Sequence, residues 1–248
     1  MLAEHRWISC KTDRMSAPQS ITDGIHVVRG LVNIYIVETT DGCAVIDTGF
    51  PGSTSKIIKA VTAIGRRPND VRHIFISHAH PDHMGSAGSL KRETGAAVWA
   101  HPIDAPIIEA GTGYRNAEAC PGIRNKVVAG LLRRFGLPNA EPMHVDHLLQ
   151  EGDSLPFASD LSVIHVPGHC AGQIAFHFKR GGGVLIPADT CVNFGRMKLP
   201  ATAEDLAQAR DSLRKLAAYE FEALCFMHGP PMLAGADKKF RAWVSTNP

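Results

Sequence analysis

The chain contains no apolar run near the roughly 20 residues that a membrane-spanning helix needs. Its six cysteines, at positions 10, 43, 120, 170, 191 and 225, form no C-x-x-C pair, so the commonest thiol metal and redox signatures are missing. With no export signal in view, those thiols read as reduced and the expected location is the cytoplasm. Neither sign of charge dominates: 26 Lys and Arg stand against 24 Asp and Glu, net +2. Nothing global therefore draws the chain to nucleic acid or to a membrane. Ser53, Ser77 and Ser86 lack the context of a nucleophile elbow, which argues against a serine hydrolase. Repeats, low-complexity tracts and a domain linker are also missing. The first 20 residues include Glu4, Lys11, Asp13 and Arg14 and no apolar core. They read as a disordered leader, and residues 21–248 as a single α/β domain.

What is present is an alternation of short apolar runs with amphipathic stretches. Residues 33–38 and 43–47 read as strands joined by a turn at Thr40, Asp41 and Gly42. A helix is expected from a Ser53 cap to about Ile64, a strand at 73–77, a helix at 85–94 and a strand at 97–101. Residues 102–144 break the rhythm with five prolines (Pro102, Pro106, Pro121, Pro138 and Pro142). They read as a helical insertion, with a helix near 122–135, lying over the main fold. Between 106 and 140, Arg115, Arg124, Lys126, Arg133 and Arg134 outnumber Glu109 and Glu118. The plain reading is a solvated charged face; a site that attracts an anionic substrate is the alternative. Strands are then expected at 161–166, 173–178, 183–188 and 223–227, with helices at 203–218 and 236–244.

Thirteen histidines is a high count, and several stand at predicted strand ends. His78, His80, Asp82 and His83 place four potential metal ligands within six residues, directly after one strand and before a helix. Imidazole and carboxylate suit zinc and similar divalent ions. Small Ala79 and φ-locked Pro81 fill the intervening positions and leave the polar side chains free to converge.

The run His78-Ala79-His80-Pro81-Asp82-His83 resembles the H-x-H-x-D-H signature of the metallo-β-lactamase-fold superfamily. The likeness extends over roughly residues 25–230: Asp47-Thr48-Gly49, Val166-Pro167-Gly168-His169, Ala188-Asp189 and His228-Gly229 fall in the family's order. The resemblance implies a four-layered αββα sandwich with a dinuclear site at one edge. It implies His78, His80 and His169 as ligands of one metal, Asp82, His83 and His228 as ligands of the other, and Asp189 as the bridge. Asp47 is implied to hydrogen-bond behind a ligand. Two divalent ions, zinc first and iron or manganese next, would share a water whose hydroxide attacks an ester, thioester, lactone or related amide. Asp82 and Asp189 are the residues expected to position it and move a proton.

The substrate stays open at this point, since the fold hosts many reactions. The bridging aspartate and the missing signal argue against a dedicated β-lactamase. Glyoxalase II-type thioesterases and iron-dependent persulfide dioxygenases share the histidine motif, but Gly195-Arg196-Met197-Lys198-Leu199 matches their following stretch only in part. Lactonases of this fold carry a tyrosine three residues after the bridge, where this chain has Val192. A phosphodiesterase or nuclease is kept by the basic insertion alone. The expected partner is a small molecule, with an anionic group as one option. Cys170 and Cys191 read as small buried residues beside the site. His73, His101, His165 and His177 read as structural, while His144 and His147 are left undecided.

Overall fold

The computed structural model describes residues 17–113 and 116–246. The chain opens with β1 (Gln19–Thr22), β2 (Ile25–Val28), β3 (Ile34–Thr39) and β4 (Gly42–Ile46). It continues through α1 (Thr54–Ala63), β5 (Val71–Ile76), α2 (Pro81–Met84), α3 (Ala87–Thr94) and β6 (Ala97–Ala100). The segment predicted as an insertion contains α4 (Ala105–Ala110), β7 (Glu118–Ala119) and α5 (Ile123–Phe135). Then follow β8 (His147–Leu148), β9 (Leu161–His165), β10 (Ile174–Phe178), β11 (Val184–Ile186), β12 (Val192–Asn193), β13 (Met197–Lys198) and β14 (Thr202–Ala203). The elements α6 (Leu206–Leu216), β15 (Ala223–Leu224) and α7 (Ala236–Thr246) complete the order.

A seven-stranded sheet runs β1-β2-β3-β4-β5-β6-β8 and a four-stranded sheet runs β15-β11-β10-β9. The period of two along each strand sends alternate side chains to opposite faces. In β3, Ile34 and Ile36 pack with Ile57 and Val61 of α1 and Leu90 of α3. From the same strand Tyr35 and Val37 turn the other way, onto Val163, Phe176 and Ile186 of the second sheet. That sheet repeats the device. Its inner face carries Phe176 and Phe178, and its outer face carries Ile164, Leu185 and Leu224 against Leu213 and Leu216 of α6 and Phe240 of α7. Three apolar interfaces thus separate four layers, helix, sheet, sheet and helix, as the αββα expectation requires.

Several boundaries differ from the sequence reading. Of the predicted leader, residues 1–16 lie outside the described residues, and Gln19 and Ser20 pair with Val27 and His26 in the first hairpin. Ser53 does occupy the N-cap of α1, but its hydroxyl donates to the Phe50 carbonyl instead of accepting from the helix. The helix predicted at 203–218 begins at Leu206, because Asp205 accepts from the Gln208 amide at 3.0 Å and caps it there. Thr202 and Ala203 pair instead with the insertion strand β7. No helix of the described residues is long and apolar enough to cross a membrane.

Candidate metal centre

The site sits where strand ends of both sheets meet. His78, His80, Asp82 and His83 follow β5 through the start of α2, His169 follows β9, Asp189 follows β11, and His228 follows β15. All seven sequence-predicted site residues come together, in two groups. In the first, Nε2 of His78 lies 3.1 Å and Nε2 of His169 lies 3.0 Å from Nδ1 of His80. In the second, Oδ2 of Asp82 lies 3.7 Å from Nε2 of both His83 and His228. Oδ2 of Asp189 stands between the groups, 3.7 Å from His169, 3.6 Å from His83 and 3.1 Å from His228.

Four of the five histidines, His78, His83, His169 and His228, are held through the Nδ1 that does not face the centre. His169 and His228 donate through Nδ1 to the carbonyls of Thr202 and Leu31, at 2.8 and 2.9 Å. Nδ1 of His83 contacts Asp47 Oδ2 at 2.7 Å, and Nδ1 of His78 lies 3.0 Å from the Ser77 hydroxyl. Such outer contacts fix ring orientation and tautomer. Asp47 is buried and has φ of 55°, a left-handed conformation that Asp tolerates better than most residues. From there its carboxylate also accepts from the Ser77 amide and hydroxyl, at 2.7 and 2.6 Å, which locks the end of β5 where the ligand run begins.

Glycine makes two of the approaches possible. At Gly168, φ is +131° and a Cβ would lie 2.2 Å from the Ala209 amide nitrogen. At Gly229, φ is +100° and a Cβ would lie 1.8 Å from the Asn193 carbonyl oxygen. Each adjoins a histidine of the site, His169 and His228.

Burial, reinforced by neighbouring imidazoles, holds His78 and His80 well below the usual histidine range, so both are neutral and present lone pairs. For His83 burial acts the same way, but Asp82, Asp189 and Asp47 outweigh it and raise the ring well above that range. Burial likewise opposes ionisation of Asp189, yet His228 and His83 overcome it and keep the carboxyl strongly acidic. Two atoms here, His83 Nε2 and Asp189 Oδ1, are buried with no hydrogen-bond partner. Buried polar atoms left without a partner are costly unless a cation satisfies them, so the donor set fits divalent metal.

Sequence reasoning missed the supports. Asp104, buried at 1% exposure, accepts from Ala79 N at 2.9 Å and Gly172 N at 3.0 Å, tying the His78–His80 loop to the His169 loop. Asn33 donates to the carbonyls of Phe226 and Gly229 at 2.8 and 2.7 Å, and Tyr35 donates to Phe226 at 2.6 Å. These bonds draw the chain after β15 out of its own sheet and toward β3, which carries His228 inward. The strand predicted at 223–227 therefore stops at Leu224. A single polar residue inside an apolar pattern was the one available signal, and it carries no address. Cys170 Sγ lies 3.4 Å from His80 Nε2, nearer the centre than a plain core residue. Cys191 is a buried thiol whose pKa burial pushes up to about 12.

A family model described as the metallo-beta-lactamase superfamily matches residues 27–228. A probable metallo-hydrolase of Bacillus subtilis, YflN, is 27% identical over 92% of this chain and 91% of its own. A hydroxyacylglutathione hydrolase of Rhodospirillum rubrum is 30% identical over 82% of this chain and 64% of its own length. Among solved structures, BJP-1, a subclass B3 metallo-beta-lactamase of Bradyrhizobium japonicum, superposes with a TM-score of 0.69 at 22% identity, over 94% of this chain and 92% of that one.

Proposed function

Because this chain belongs to the metallo-beta-lactamase superfamily and is a metal-dependent hydrolase, we propose that it uses two divalent ions to cleave the acyl bond of a small ester, thioester, lactone or related amide. His78, His80 and His169 would hold one ion, Asp82, His83 and His228 the other, and Asp189 both. The observation that carries this reading is the single oxygen Asp189 Oδ2, within 3.7 Å of histidines from both groups. Zinc suits the nitrogen and carboxylate donors, and iron and manganese share part of that preference. Bound ions of this kind supply Lewis acidity and lower the pKa of water toward neutrality.

The chain's own groups do the rest. Asp47 holds His83 in one tautomer, and burial keeps His78 and His80 unprotonated. Asp189 would orient an attacking water, and Asp82 would take up its proton. The five described cysteines are unpaired, which accords with a reducing, cytoplasmic setting. Elemental analysis of the purified protein should give two metal ions per chain. His80→Ala should lower that content and reduce hydrolysis across an ester, thioester, lactone and lactam panel by at least about 100-fold. One iron per chain with oxygen-dependent sulfur oxidation, or unchanged activity in His80→Ala, would refute the assignment.

A further inference from the structure

A cavity of about 2290 Å³ opens from the metal centre, with His80, Asp82, His169, Asp189 and His228 at its floor. That is larger than the roughly 300–1,000 Å³ of ordinary small-molecule sites. Two properties of its wall stand out. The first is apolar. Helix α5 contributes Val127 and Leu132, and Phe194, Met197 and Trp243 line the same cavity. Within α5 only Ala129 is buried, while Ile123 and Val127 are 76% and 56% exposed. Phe194, from the same lining, is 61% exposed. Apolar surface left uncovered along one cleft marks a binding surface.

The second property is charge. Arg124, Arg133, Arg196, Lys198, Arg210 and Lys239 line the cavity, and the acidic groups among its described lining residues are Asp82 and Asp189, both at the metal centre. The chain as a whole is nearly balanced at +2, so this one-sided lining is local and not a reflection of composition. The excess cations of the wall complement an anionic ligand, and the flexible apolar stems of Lys and Arg cover hydrocarbon well.

We propose that the substrate is an anionic amphiphile: an acyl ester or thioester with a long hydrocarbon chain and a leaving group bearing phosphate or carboxylate charge. The chain lies against α5 and Phe194, and Arg196 and Lys198 face the charged end. This inference rests on the hydrolase reading for its chemistry, in which water adds across the acyl carbon–oxygen or carbon–sulfur bond to give a carboxylic acid and an alcohol or thiol. It rests on the cavity alone for its choice of ligand.

The test separates the two. Octyl, decyl and dodecyl phosphate, each below its micelle concentration, are titrated calorimetrically into chelator-treated protein, with octyl glucoside as the neutral probe. Affinity should rise about tenfold for every two methylenes, and the glucoside should bind more weakly than octyl phosphate. Val127→Asp with Leu132→Asp should flatten the chain-length series. Arg196→Gln with Lys198→Gln should lower phosphate affinity about tenfold and leave the glucoside unchanged. A flat series, or equal binding of glucoside and phosphate, would overturn the proposal; a dimer whose second copy covers α5 is the arrangement that would then be left. Binding as expected, with no turnover of dodecanoyl thioesters by metal-loaded protein, upholds the ligand class and defeats the hydrolase reading instead.

Discussion

Asp47 shows how one side chain can set a catalytic geometry without touching substrate. It spends two acceptor bonds on Ser77 and a third contact on His83. Asp47→Asn keeps the tolerance for left-handed backbone but cannot serve all three. Metal affinity or activity should fall about 10- to 100-fold, read by metal titration and kinetics. Asp104→Ala should act mainly on stability, since two buried amides lose their acceptor. A cost of about 1–3 kcal/mol in denaturant unfolding is expected. A third residue-scale effect concerns pH. His101 stacks on His165 at 4.3 Å, and burial, helped by that neighbour, pushes its pKa down to about 4. Unfolded histidine titrates near about 6.5, so between those values the unfolded chain binds more protons. Stability should therefore be complete above about pH 6.5 and decline as the pH falls toward 4. His101→Gln should reduce that slope in unfolding curves taken across the window; an unaltered slope would rule His101 out as its source.

At the scale of elements, the turns that deliver the ligands are the most constrained pieces. Gly229→Ala would force a methyl into the Asn193 carbonyl, and Gly168→Ala into the Ala209 backbone. Either should cost more than the about 1–2 kcal/mol of left-handed strain alone, seen as a lowered Tm and lost activity. Both glycines were visible in the sequence because each sits beside a histidine at a strand end. The core strands were visible too, since β3, β4, β5, β9 and β10 carry alternating or continuous apolar side chains. The first hairpin was not. Gln19–Thr22 is a half-exposed edge strand whose composition resembles a loop. The start of α6 was misplaced because apolar period continued through Ala203, while Asp205 set the actual boundary. The early end of β15 could not be read at all. It depends on Asn33 and Tyr35, which lie almost 200 positions earlier in the chain, with sequence separations of 193 and 191 residues from Phe226.

For the whole molecule, the site is a seam between two halves, and each proposed metal set draws on both. The histidine–aspartate run belongs to the seven-stranded half, while His169, Asp189 and His228 belong to the four-stranded half. Metal that binds only the docked form stabilises it by mass action, about 4 kcal/mol when free metal stands a thousandfold above its dissociation constant. Removing metal with a chelator should therefore lower the Tm of the purified protein. An identical melting curve with and without chelator would contradict the shared-site arrangement.

Helix α5 lies in the chain between the histidine–aspartate run and the later ligand residues and is the most exposed long helix, with Ile123 and Phe135 each 76% accessible. A protease that severed it would leave two fragments, one holding His78, His80, Asp82 and His83, the other His169, Asp189 and His228. Neither fragment could complete either proposed coordination set by itself. Reassembly of the nicked chain would then be metal-gated, with the ions acting as rivets between separate polypeptides, and the same geometry would offer a natural site for splitting the protein into a conditional pair.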